Sequence, residues 1–227
     1  MDVTSDFTHL IAEAARTLDE PRDLDDTWQT IVDVACNTVP GFDHVGIATL
    51  GRTGEIETSA FAGYLVVPLD QVQCGLRQGP CSAVLQGSDA MCVSRLKEER
   101  RWPGYVPVAQ EWGVRSQMAV RLYLGKGTLG SLNFYSTISD EVGGDAQAIA
   151  RQIAIHADIA LGRAQEVDAF NEGMQSRKVI GEATGILMQR YDMNEERAFA
   201  FLVRASSHTN IGLRAVAQAL IDEQTSA

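Results

Sequence analysis

The sequence predicts an α+β chain: a sheet-containing unit, then a small all-helical unit, joined through one long helix. Three observations lead there. Apolar residues recur at helical spacing at both ends of the chain but alternate through much of its middle. The clearest hairpin, Arg115–Leu124 against Thr128–Ser136, is turned by Gly125-Lys-Gly127. No proline follows Pro107, so nothing of that kind interrupts a helical run that begins after Gly143-Gly144.

Taken in order, Phe7, Leu10, Ile11, Ala14, Ala15 and Leu18 share one face of a first helix, with Ser5 or Asp6 as candidate caps and Glu20-Pro21 as its break. Leu24, Trp28, Ile31, Val32 and Ala35 make a second helix, ended by Pro40-Gly41. His44–Leu50 and Glu55–Phe61 read as strands joined by the turn Gly51-Arg-Thr-Gly54. Gly63–Gln86 is a looser stretch, Ala90–Ser94 a short strand, and Arg101-Trp-Pro-Gly104 a loop, because Pro and Gly adjoin there. Ala148, Ile149, Ile153, Ala157, Ala160, Leu161 and Ala164 then hold one face of the long helix. Such amphipathic linkers commonly pair with copies of themselves, so Gln147–Ala164, with the first helices as a further candidate, is the expected seam of a homodimer. Three short helices fit the remainder. The first carries Phe170, Met174, Ile180, Ala183, Leu187 and Tyr191 on one side. Asn194 caps the second, with Ala198, Phe199, Leu202 and Ala205 inward, and Asn210 caps the third, with Leu213, Val216, Ala217, Leu220 and Ile221 inside. Small residues, Ala183 and Gly185 among them, let the backbones approach.

Composition narrows the function. The 227 residues are 45% hydrophobic and 22% charged, ordinary for a chain that buries a core. No apolar run approaches the roughly 20 residues that span a bilayer. The first ten residues carry acids and no Lys or Arg, unlike a secretory signal, so a soluble cytoplasmic protein that makes no use of a membrane is expected. Cys36, Cys74, Cys81 and Cys92 form no CxxC pair and no zinc spacing, so reduced thiols and no metal site are expected. No GxSxG, Walker, HExxH or paired-carboxylate motif occurs, which predicts a protein that is not an enzyme and has no catalytic residues.

The stretch Ser176-Arg-Lys-Val-Ile-Gly-Glu-Ala-Thr-Gly-Ile-Leu-Met188, then Glu196-Arg-Ala-Phe199, Leu202, Ser206, Asn210 and Leu213-Arg-Ala-Val-Ala217, resembles the ANTAR family of transcription antiterminators. The likeness runs from about Phe170 to about Glu223. It implies binding to paired RNA hairpins in a nascent leader transcript, which keeps a terminator from forming. Family members often carry Lys where this chain has Thr184, so one cationic contact is missing.

A net charge of −11 opposes phosphate binding at long range. The acidity is uneven, however. From Phe170 onward six basic residues face seven acidic ones, a near-neutral segment. RNA loops are read by a few Arg side chains, stacking and shape without a large basic field. Arg177, Lys178, Arg190, Arg197, Arg204 and Arg214 are the RNA-contact candidates, with Arg177 and Arg190 expected on one side of their helix. The competing reading is a solvated surface of i,i+4 ion pairs made by Glu182 or Glu196, and with it a protein-interaction adaptor in place of an RNA binder.

Val39-Pro-Gly-Phe-Asp-His-Val-Gly-Ile47, Gln78-Gly-Pro-Cys81, Arg101-Trp-Pro103, Gly113-Val-Arg-Ser116 and Leu129-Gly-Ser-Leu-Asn-Phe134 resemble GAF domains placed ahead of ANTAR domains. This implies a mostly antiparallel sheet with helices on both faces and a pocket for a small effector. The domains expected are an N-terminal helix over 1–22, a GAF-like sensor over 23–165 and an ANTAR domain over 166–227. Cys74, Cys81, Trp102, Trp112 and Phe134 are the candidate pocket, against the alternative that the aromatics are core. Haem is disfavoured, since His44 is the sole histidine of the sheet region. A thiol sensor would draw on Cys74 and Cys81, which lie close in sequence. A cyclic nucleotide finds no Gly-rich helix start or Arg cluster.

Overall fold

A computed structural model describes residues 3–51, 55–124 and 127–225. These fall into two compact units, Met1–Gln165 and Glu166–Ala227.

In the first unit, α1 (Val3–Asp19) and α2 (Leu24–Thr38) precede the sheet. α1 begins ahead of Ser5 and Asp6, so neither caps it; no Pro or Gly stops the helix short of Val3. Asp23 caps α2, its carboxylate accepting from Asp26 N at 2.8 Å. The sheet has five antiparallel strands in the order β2-β1-β5-β4-β3, namely β1 (His44–Leu50), β2 (Ile56–Ala62), β3 (Ala90–Val93), β4 (Ser116–Leu124) and β5 (Gly127–Ser136). The turns expected at Arg52–Gly54 and at Gly125-Lys126 lie outside the described residues.

Alternation along the strands divides the unit into two layers. Val45, Ile47, Met118, Val120, Leu132 and Phe134 pack with α2 and with the start of α6 (Gly144–Tyr191). On the opposite face lie α3 (Val66–Leu76), α4 (Pro80–Leu85) and α5 (Val106–Glu111), with Leu65, Leu69, Tyr105, Ala109 and Tyr135 in a second core. α3 and α4 occupy the stretch expected to be loose. Val66, Val67 and Pro68 argue against a helix by propensity, yet they sit in its first turn, where a proline's missing N–H would have had no helical partner. Gly46 lets α3 come close: a Cβ there would lie 2.2 Å from Val66 Cγ1.

The α6 face built on Ile149, Ile153, Ala157, Leu161 and Ala164 is spent on this unit's own core. It is therefore not the free seam the periodicity suggested, whereas Ile155 and Ile159 are half exposed.

The second unit comprises the end of α6, α7 (Glu195–Thr209) and α8 (Leu213–Thr225) around Ala183, Leu187, Ala198, Leu202 and Ala217. Asn194 caps α7 by accepting from Arg197 N at 3.0 Å. Asn210 does not open α8; it closes α7 in the left-handed conformation (φ 55°), which asparagine tolerates. Phe170, Met174, Tyr191 and Phe199 are exposed, not core. The bundle core on α6 begins only near Val179, because α7 and α8, at about 1.5 Å per residue, cover only about 20 Å of it.

Candidate functional site

In the first unit the sheet face under α3–α5 carries polar side chains in a buried setting. Leu65, Val66, Leu69, Asp70 and Gln73 recur at helical spacing, so the face of α3 that packs on the sheet brings a carboxylic acid and an amide with it. Ser131, Asn133 and Tyr135 of β5 point the same way, opposite to Leu132 and Phe134. Asp70 Oδ1 accepts from Asn133 Nδ2 at 3.0 Å and from the Tyr135 hydroxyl, and Oδ2 accepts from Thr58 Oγ1 at 3.2 Å. Gln73 donates to the Tyr135 oxygen at 2.8 Å and accepts from Cys81 N at 3.0 Å. Tyr105 donates to Gln117 Oε1 at 2.6 Å. Burial drives the Asp70 carboxyl up to about 6, with its three donors working the other way. Gln117 Nε2 and Asn133 Oδ1 are buried and have no partner among the described residues: one free donor and one free acceptor on the same sheet face.

The candidate pocket residues do not converge. Cys74 and Cys81 lie near each other, each thiol shifting the other, and Cys81 Sγ lies 3.2 Å from Ser131 Oγ. Trp102 packs in the same layer beneath Arg101, whose guanidinium lies 4.5 Å from its ring centre. Phe134 is on the other side of the sheet, 5.4 Å from Phe42, because it alternates with Tyr135. Trp112, at the end of α5, is 43% exposed. His44 is buried edge-on to Tyr64, with Nδ1 3.3 Å from Asp43 Oδ2. All four cysteines are free.

Asp70, Gln73, Asn133 and Tyr135 were missed in sequence. The signal was the alternation Ser131-x-Asn133-x-Tyr135. An amphipathic strand ordinarily means a solvated face; here helices cover it.

In the second unit all six basic candidates are exposed, and among the described residues none is held in an ion pair. The i,i+4 pairs expected of Glu182 or Glu196 are not among those formed. The six do not share one surface. At about 100° per residue Arg190 lies roughly 140° round α6 from Arg177, so the two are not on one side as expected. Arg177 alone of the six lines a groove of about 500 Å³, with Gly181, Gly185 and Met188 from α6 and Phe199 from α7. Gly181 and Gly185 line it, and a Cβ on either would meet nothing within 4 Å. Gly185 is thus not the packing residue its motif suggested. Thr184 is buried, its hydroxyl donating to Ile180 O at 2.7 Å.

Residues 23–161 match the GAF domain family and residues 168–221 the ANTAR domain family. No curated protein matches the chain. Among solved structures, the phytochrome photosensory core module of Stigmatella aurantiaca is 13% identical with a TM-score of 0.62, covering 87% of this chain, which spans only 44% of that one. The free methionine-R-sulfoxide reductase of Neisseria meningitidis is 13% identical (TM-score 0.59), with 74% of this chain and 95% of that chain covered. The GAF domain of a Coxiella burnetii phosphoenolpyruvate-protein phosphotransferase is 15% identical (TM-score 0.59), with 74% and 99% covered. At such identities the likeness concerns the fold alone.

Proposed function

The chain belongs to the GAF family, its GAF domain over residues 23–161 being followed by an ANTAR domain over residues 168–221, and on that premise we propose that it is a signal-responsive transcription antiterminator binding paired hairpins of nascent leader RNA. The two domains make it a sensor-regulated RNA-binding regulator. No helix among the described residues is long and apolar enough to cross a membrane; the site of action we assign is the cytoplasm, where nascent transcripts are met.

The observation that supports this reading best is the groove on the bundle. An unstacked loop base fits its chemistry: open space beside Gly181 and Gly185, the exposed ring of Phe199 to stack on, and the Arg177 guanidinium among the lining groups. Lys178, Arg190, Arg197, Arg204 and Arg214, distributed around the bundle, are assigned to phosphates. In the sensor domain, the free donor of Gln117 and the free acceptor of Asn133 suit a small polar effector.

The test is affinity of the full chain for a two-hairpin RNA at several salt concentrations. Arg177→Ala and Phe199→Ala are expected to lose about 1–3 kcal/mol of binding each and to discriminate less between loop sequences. Gly185→Leu should lose binding as well while melting no lower than the parent, because its side chain enters the groove and not the core. Removing a phosphate contact such as Lys178 should flatten the log–log salt dependence by roughly 0.7. Folded variants that all retain full affinity would overturn the RNA assignment in favour of the adaptor reading.

A homodimer suits two hairpins. Its seam is placed on Ile155 and Ile159 of α6 and on the neighbouring apolar groove of Ile11, Ala12, Ala15 and Ala148. Ile159→Glu is expected to convert dimer to monomer in sedimentation equilibrium. A parent chain that stays monomeric with and without RNA would refute this.

A further inference from the structure

We propose that Cys74 and Cys81 are a dithiol that hydroperoxides oxidise to an intramolecular disulfide. The local chain is built to bring them together. Arg77 (φ 53°) and Gly79 (φ 111°) reverse the backbone after α3. Gln73 then ties the end of α3 to the start of α4: its carbonyl accepts from Gln78 N at 3.1 Å, and its side chain accepts from Cys81 N at 3.0 Å. Position 79 favours glycine, because its φ of 111° strains any other residue and a Cβ there would lie 2.3 Å from Gln73 Oε1.

The two sulfurs are unequal. Cys74 is half-buried and opens onto a solvent-accessible groove of about 530 Å³, shared with Leu50, Ile56, Arg77, Ser82 and Gln86. Cys81 is fully buried behind it, against Ser131. The neighbouring Cys81 thiol holds the Cys74 thiol below its ordinary range, while Cys74, together with burial, pushes Cys81 well up. Cys74 is therefore the sulfur that ionises and meets solutes, and Cys81 is the sulfur kept in reserve. Burial raises both Cys36 and Cys92, which makes them poorer nucleophiles.

In the first step the Cys74 thiolate attacks the distal oxygen of a hydroperoxide. The O–O bond breaks, the peroxide leaves as an alcohol with one proton taken up, and Cys74 becomes a sulfenic acid. In the second, the Cys81 sulfur attacks Cys74 Sγ, the S–O bond breaks, and hydroxide departs with the Cys81 proton as water. The two thiols have lost two electrons and two protons, the hydroperoxide having been reduced to alcohol and water. The disulfide would clamp α3 to α4 over the Asp70 cluster, giving the sensor domain two covalent states. The chemistry does not depend on the RNA-binding reading, and its test involves no RNA.

Full-length reduced protein is treated with hydrogen peroxide and read by intact mass and peptide mapping. The parent is expected to lose about 2 Da, to yield a Cys74–Cys81 linked peptide, and to recover with dithiothreitol. Cys81→Ser should stop at a sulfenic acid on Cys74 that dimedone traps, and Cys74→Ser should form neither product. Against variants that fail to fold stands a measurement on the parent: iodoacetamide at neutral pH should label Cys74 about tenfold faster than Cys36 or Cys92. Faster labelling of Cys36 or Cys92, a parent that forms no Cys74–Cys81 bond, or a folded Cys74→Ser variant oxidised at Cys81 as fast as the parent would each overturn the proposal.

Discussion

Asp70→Asn is expected to stabilise the sensor unit near pH 8 by up to about 3 kcal/mol and to leave it unchanged below pH 4. Burial raises this carboxyl from 3.8 to about 6, and each pH unit of such a shift corresponds to about 1.4 kcal/mol. The sign follows from proton binding. Between pH 4 and pH 6 the folded chain holds a proton here that the unfolded chain has released, so stability falls as pH rises. Below the unfolded value both states are neutral at this site and nothing is lost. Above pH 6 the folded state carries the full cost of a charge with no cation among its hydrogen-bonding partners. Asparagine preserves the geometry: its oxygen still accepts from Asn133 and Tyr135, and its amide donates to the Thr58 hydroxyl, which turns to accept. Urea melts of parent and variant from pH 4 to pH 8 measure the difference directly. A variant less stable than the parent by the same amount at every pH would mean that Asp70 acts only as a hydrogen-bond acceptor. The same change removes a charge that raises both thiols, so peroxide should oxidise the variant faster above pH 6.

Gly130→Ala is expected to cost the sensor unit about 3 kcal/mol or more, enough to deplete the soluble folded chain. Gly130 lies in β5, the central strand, paired to Thr49 on one side and Leu122 on the other. A Cβ there would sit 2.1 Å from the Ala48 carbonyl oxygen and 3.0 Å from two further backbone atoms of β1. Backbone held in a ladder on both sides cannot yield as a flexible side-chain tip can, so relief requires breaking β1–β5 hydrogen bonds. Gly173→Ala is the control. Its Cβ meets nothing within 4 Å on exposed α6, so the methyl should add about 0.5–1 kcal/mol of helix stability. Thermal melts and soluble yield for the two variants decide the matter; a Gly130→Ala protein melting with the parent would refute the clash.

How much was legible in the sequence varies by element. β1, β4 and β5 announce themselves because a half-buried strand must alternate, α2 because Leu24, Trp28, Ile31, Val32 and Ala35 recur at helical spacing, and α7 because Asn194 satisfies a free N–H of its first turn. The bundle and its motif are equally local: helix-spaced small and apolar residues can pack only as a compact helical unit. Elsewhere local rules were silent or pointed the wrong way. Propensity concealed α3, since burial of Leu65, Val66 and Leu69 against the sheet outweighs the preferences of Val66, Val67 and Pro68. The pocket reading grouped Phe134 with Cys74 and Cys81, but strand alternation sends Phe134 and Tyr135 to opposite faces, and only packing decides which face receives Asp70 and the two thiols. Periodicity placed Phe199 inward and Gly185 at a close approach of helices, yet the positions of α7 and α8 leave both lining an open groove. The physical reason is common to these cases: period and capping act within a few residues of one chain segment. Which face a second segment covers is set by packing between residues distant in sequence, and that choice made Asp70 a buried acid, Cys74 an accessible thiol and Arg177 the basic residue of the groove.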